Sequence, residues 1–110
     1  MLDIKRTGLT TELIKALNGI FLNYPTVKQV KLYGSRAKGN FRNGSDIDLT
    51  LVGDITHDQL MGIDGLIDDL LTPYTYDLSI LSEIDNNELL EHIEKVGVCI
   101  YPLTVKKSGE

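Results

Sequence analysis

The sequence predicts an α/β or α+β domain with one sheet of about four strands covered by helices, and three features predict it. Apolar residues recur at helical spacing in three segments, shorter segments show the apolar pattern of strands, and the two kinds alternate along the chain. The 110 residues suit one domain and leave no room for a second.

Leu13, Leu17, Ile20, Phe21 and Tyr24 form the stripe of an amphipathic helix over residues 10–23, which Pro25 prevents from continuing. VKQVKLYG places Val30 and Leu32 on one face and Gln29 and Lys31 on the other, and ends at Gly34, a strand feeding a turn. SRAKG is a short helical turn. IDLTLVG is a second strand, with Ile47, Leu49 and Leu51 on one face and Asp48 and Thr50 on the other, and Asp46 shares the side of Asp48.

Thr56 and Gln59 make a capping box for a helix over residues 57–71, whose stripe is Leu60, Ile63, Ile67, Leu70 and Leu71. YTYDLSIL reads as a third strand. Asp85 with Glu88 is expected to cap a last helix carrying Leu89, Leu90, Ile93 and Val96, which Gly97 ends. VCIYP is a fourth strand, with Cys99 read as a small core side chain. Residues 103–110 are polar and expected to form a flexible tail to a domain of residues 1–102.

Composition excludes several classes. Hydrophobic content of 42% and charged content of 25% are those of globular domains rather than disordered or fibrous chains, and one cysteine makes no internal disulfide. No apolar run reaches membrane-spanning length, and MLDIKRTG lacks the apolar core of a secretory signal, so a cytoplasmic protein is expected. The net charge of −5 conceals a basic half, +6 over residues 1–45, and an acidic half, −11 over residues 46–110. Between residues 13 and 45 there is no acid, while Lys28, Lys31, Arg36, Lys38 and Arg42 crowd the Gly-Ser turn. A pI near 4.9 speaks against duplex nucleic-acid binding, whereas a small phosphate ligand needs only a local positive field.

The chemistry concentrates in GSRAKGNFRNGSDID, residues 34–48. A strand that ends in Gly-Ser and opens a helix directs N–H groups and a hydroxyl toward one point, a disposition that suits phosphate. Asp46 and Asp48 project to one side of an extended chain, and a hard divalent cation such as Mg²⁺ would relieve their repulsion. Asp77 lies between Tyr76 and Leu78 in an apolar strand, where an unpaired buried carboxylate would be costly, so it needs a partner. If the third strand lies beside the second, the three carboxylates can hold the two metal ions used in in-line phosphoryl chemistry. His57 and His92 show no metal-ligand spacing and read as surface or capping residues, and Tyr74 and Tyr76 as packing residues.

Gly34-Ser35, ten intervening residues, Asp46-x-Asp48 and the later strand aspartate Asp77 resemble the signature of the nucleotidyltransferase superfamily typified by DNA polymerase beta. The form LYGSRAKGNFRNGSDIDL and the small size are similar to one branch, the minimal nucleotidyltransferases, often the antitoxin partners of HEPN-domain proteins. The likeness runs over about residues 9–102, with Tyr33 where a phenylalanine often stands.

The resemblance implies a mixed sheet with the Gly-Ser helix over an ATP triphosphate. It implies that Gly34 admits the phosphates, Ser35 bonds the terminal one, and Arg36 and Lys38 help to neutralise them. Asp46 and Asp48 would bind two Mg²⁺ ions, and Asp77 would bind the catalytic one and accept the hydroxyl proton. With no second domain to hold an acceptor, the implied activity is AMP transfer to a hydroxyl, expected to be a tyrosine, on a partner HEPN toxin RNase. That is the antitoxin role in a type VII toxin–antitoxin pair, and it makes the chain part of a hetero-oligomer. Two alternatives are an antitoxin that works by occlusion alone and a transferase acting on a small molecule such as an aminoglycoside.

Overall fold

The structure is a computed structural model that describes residues 4–42 and 44–102; the expected tail, residues 103–110, lies outside the described residues. A single turn, α1 (Ile4–Thr7), precedes α2 (Thr11–Phe21). The Thr10 hydroxyl caps α2 by accepting from the Leu13 amide, and Leu13, Ile14, Leu17, Ile20 and Phe21 are the buried stripe. β1 (Val27–Tyr33) leads directly into α3 (Gly34–Lys38), and β2 (Ile47–Gly53) follows a loop. α4 (His57–Asp68) starts at the predicted capping box, with both reciprocal hydrogen bonds of Thr56 and Gln59 formed. β3 (Tyr76–Ile80), a 3₁₀ turn (Leu81–Glu83), α5 (Asn87–Val96) and β4 (Val98–Tyr101) complete the domain.

The strands form a mixed sheet in the order β3-β2-β1-β4. β1 is antiparallel to both β2 and β4, while β2 and β3 are parallel and α4 makes the crossover that a parallel pair requires. One face is the core: Val30 and Leu32 of β1 and Leu49 and Leu51 of β2 are fully buried against the stripes of α2 and α4. The other face carries two polar rows. Tyr33, Asp48 and Asp77 are lateral neighbours in the first, and Lys31, Thr50 and Ser79 in the second. α5 packs over β1 and α3 on Ile93, which is 2% exposed and separate from the main core cluster. In the first row Asp48 is half-buried and Asp77 exposed, whereas in the second Thr50 is fully buried.

Four expectations are corrected. α4 stops at Asp68, because Leu70 and Leu71 donate to carbonyls only three residues back and Leu71 turns left-handed at φ 53, 88% exposed and outside the stripe. The cap of α5 is Asn86 rather than Asp85, with the Asn86 side-chain carbonyl accepting from the Glu88 and Leu89 amides. Cys99 is exposed, since it alternates with Ile100 on an edge strand and Ile100 takes the core side. Asp77 is exposed as well, because β3 is the other edge strand and Asp77 faces the open side. Among the described residues no helix is long and apolar enough to cross a membrane.

Candidate active site

The site begins where β1 turns into α3. Gly34 has φ +77, a conformation that side-chain-bearing residues rarely adopt. A Cβ there would overlap Asp48 Oδ2 and lie 3.3 Å from Asp48 Cγ. Glycine is therefore required twice, for the turn and for the approach of the carboxylate. Ser35 follows at the start of α3, half-buried, and its hydroxyl has no hydrogen-bond partner among the described residues.

Asp48 and Asp77 are neighbours on the polar face, and Asp46 lies just ahead of β2. Parallel pairing sets Asp48 directly opposite Asp77, on backbones about 4.8 Å apart as adjacent strands are. Burial pushes the Asp48 carboxyl above the ordinary carboxylate range, and the neighbouring charges of Asp77 and then Asp46 push it further. Asp46 is exposed just ahead of β2, and its Oδ1 accepts a short hydrogen bond from the Thr75 hydroxyl. The Ile47 amide donates to the Thr75 carbonyl at 2.9 Å, so the entrances to β2 and β3 are tied together. Below this row the Ser79 hydroxyl donates to Thr50 Oγ1 at 2.9 Å.

Arg36 and Lys38 are placed differently from the expectation that they line the phosphates. Arg36 is 2% exposed; its Nη1 donates to the Thr7 carbonyl at 3.0 Å and its Nε to the Ser45 carbonyl at 3.2 Å. The guanidinium lies between the rings of Phe41 and Tyr74, 4.8 and 5.0 Å from their centroids. A planar cation with several donors satisfies loop carbonyls from within the fold, and Arg36 thereby fixes the segment that ends at Asp46. Lys38 ends α3, the opposite end from Gly34, where its carbonyl accepts from Arg6 Nη2 at 2.8 Å. It lines an open cavity of about 420 Å³ with Arg6, Lys95 and Val98.

His92, read from the sequence as a surface or capping residue, contacts the start of α3. Its Nε2 accepts the Gly34 amide hydrogen at 3.0 Å, and its ring meets Tyr33 edge to face at 6.2 Å. No spacing in the chain signals a contact across 58 positions. Tyr74 and Tyr76 pack as expected: Tyr74 against Arg36, and Tyr76 on the core side with its hydroxyl 2.8 Å from that of Thr72. His57 pairs at the surface with Glu83 at 3.0 Å.

The donor set fits a hard divalent cation. Asp48 is held among like charges that a cation would offset, with Asp77 beside it and Asp46 two residues away. As they stand, with Asp46 bonded to Thr75, no three acidic, imidazole or thiol groups among the described residues are gathered closely enough to enclose an ion.

A glycine-opened helix thus lies against one carboxylate, with a second carboxylate beside it in parallel register. Residues 15–103 match the family described as polymerase beta, nucleotidyltransferase, and the chain belongs to that family. Among solved structures the fold is similar to a toxin–antitoxin complex crystallised with AMP-PNP, with a TM-score of 0.65 at 17% identity over 80% of this chain and 72% of that one. It is similar to the MNT antitoxin bound to the tri-AMPylated HEPN toxin of Shewanella oneidensis, with a TM-score of 0.55 at 17% identity over 91% of this chain and 72% of that one. A nucleotidyltransferase-like protein of Sulfolobus solfataricus gives 0.51 at 19% identity, over 87% and 83% of the two chains. No protein of curated function matches the chain.

Proposed function

We propose that this chain is a Mg²⁺-dependent protein adenylyltransferase that moves AMP from ATP to a hydroxyl, by expectation a tyrosine, of a partner HEPN-domain toxin, and so acts as its antitoxin. The observation that carries the reading is the lateral pairing of Asp48 with Asp77 next to the Gly34–Ser35 turn. Similarity to toxin–antitoxin complexes, one with AMP-PNP and one with an AMPylated toxin, supports the substrate and the partner.

In this reading Gly34 lets the triphosphate lie close to the backbone, and the Ser35 hydroxyl donates to the terminal phosphate. Asp46, Asp48 and Asp77 would hold two Mg²⁺ ions, which supply charge neutralisation on the phosphates and acidify the attacking hydroxyl. The acceptor oxygen attacks the α-phosphorus, the bond to the β-phosphate bridging oxygen breaks, and pyrophosphate leaves. The exposed Asp77 carboxylate takes the proton released by the hydroxyl. In this reading the acceptor comes from another chain, which the similarity to toxin–antitoxin complexes supports.

The test is incubation with α-³²P-labelled ATP, Mg²⁺ and the HEPN partner, comparing wild type with the Asp46→Asn/Asp48→Asn double variant. Label on the partner with wild type alone supports transfer. Neutralisation of the partner that survives both substitutions, with no label, would mean occlusion. Turnover in the absence of any protein partner would mean a small-molecule acceptor.

A further inference from the structure

The amide of Gly34 is the first of the unpaired N–H groups at the start of α3, and helix starts leave such groups for side chains, water or ligands. Here the partner is the imidazole of His92, one turn from the end of α5. An Nε2 that accepts a hydrogen bond carries no hydrogen, so the ring is the neutral tautomer protonated at Nδ1. The ring has little freedom. Ile93 anchors the same turn of α5 in a buried position, and the Tyr33 ring meets the imidazole at an interplanar angle of 78°.

Gly34 needs such a restraint. Glycine has a wider range of backbone conformations than any other residue, and at φ +77 no side chain of its own limits it. Rotation of the Tyr33–Gly34 peptide would move the Ser35 hydroxyl and the surface that faces the Asp48 carboxylate. A hydrogen bond from a helix packed on β1 holds that peptide in one orientation before a ligand arrives, which reduces the ordering cost of binding.

We propose that His92 is a positioning residue for nucleotide binding, holding the Gly34 amide so that Ser35 and Asp48 keep a fixed separation. The inference rests on the reading that ATP binds over the Gly34–Ser35 turn. His92 does not touch the reacting atoms; it acts through Gly34.

The experiment compares full-length wild type, His92→Ala and His92→Gln by calorimetric binding of AMP-PNP with Mg²⁺ and by the KM for ATP and kcat of partner labelling. Loss of one restraining hydrogen bond should weaken AMP-PNP binding and raise KM by about 5- to 10-fold, with kcat changed by less than about threefold. His92→Gln should recover most of the loss, because its Oε1 reaches the same amide. A trans-hydrogen-bond ¹⁵N–¹⁵N coupling between the Gly34 amide and His92 Nε2 in the wild type should report the contact directly. Unchanged binding in His92→Ala would overturn the proposal, and so would tighter binding, which would make His92 a competitor of the phosphates. His92→Gln no better than His92→Ala would also overturn it. Wild-type protein that binds no AMP-PNP would remove the underlying reading of the site, whereas wild-type binding left intact by His92→Ala removes only the role of His92.

Discussion

The carboxylate of Asp48 occupies the space that a side chain at position 34 would need, and Gly34 sits against it at φ +77. The Gly-Ser turn and the aspartate strand are thus fitted to each other through an absent methyl group. Any ligand held between them meets a backbone and a carboxylate already in contact.

Gly34→Ala should cost both stability and function. The left-handed backbone alone costs about 1 kcal/mol for alanine, and displacement of Asp48 adds about 1–2 kcal/mol. Transfer activity should fall by more than about 100-fold, since a shift of about 1 Å in a reacting geometry has that effect. Gly65→Ala is the control. Gly65 lies inside α4, where an added methyl would meet nothing within 4 Å, and the substitution should stabilise by about 0.5–1 kcal/mol and leave transfer unchanged, as thermal melts and labelling would show.

Asp48→Asn should abolish transfer and yet raise the melting temperature of the metal-free protein. Folding raises the carboxyl's pKa, so the folded state holds its proton more tightly than the unfolded chain does. The penalty is absent below the ordinary value of 3.8, grows as pH rises through the folded pKa and stays constant above it. At pH 7 in EDTA the variant should melt higher than wild type, and the gain should vanish near pH 3. With Mg²⁺ and AMP-PNP the order should reverse, since only wild type gains from ligand binding.

Arg36→Ala should act through the fold. It removes the hydrogen bonds to the Thr7 and Ser45 carbonyls and opens space between Phe41 and Tyr74, a loss of about 2–4 kcal/mol by chemical denaturation. Arg36→Lys should restore less than half of it, because an ammonium cannot stack between two rings while reaching both carbonyls. At temperatures where each variant is folded, Arg36→Lys should keep an ATP KM within about threefold of wild type. A rise in KM of tenfold or more in the folded protein would return Arg36 to the phosphates.

Asn86→Ala should lower stability by about 1 kcal/mol, the usual worth of a helix cap, because its carbonyl serves two amides at the start of α5. Asp85→Ala should be within about 0.5 kcal/mol of wild type, since the cap lies one residue later. Denaturant titration of both variants decides between the two positions.

Where a property depends on neighbours in sequence, it was legible there. The stripe of Leu13, Leu17, Ile20 and Phe21, the alternation of Ile47, Leu49 and Leu51, and the Thr56–Gln59 capping box follow from the periods of helix and strand and from the reach of one side chain. Gly34-Ser35 and Asp46-x-Asp48 were legible for the same reason, since a turn and an alternating pair are local arrangements. Boundaries were less so: the apolar period ran on through Leu71, although its backbone had already left the helix.

Sequence by itself determined the main helices and strands and their gathering into a single sheet. Tertiary structure alone decided which strands became neighbours, and with that the opposition of Asp48 and Asp77, the exposure of Asp77 on an edge strand, the burial of Arg36 between two rings and the contact of His92 with Gly34. The division has a physical cause. Dihedral preferences and side-chain periods act over a few residues, whereas strand partners and buried polar contacts are selected by the free energy of packing the whole chain.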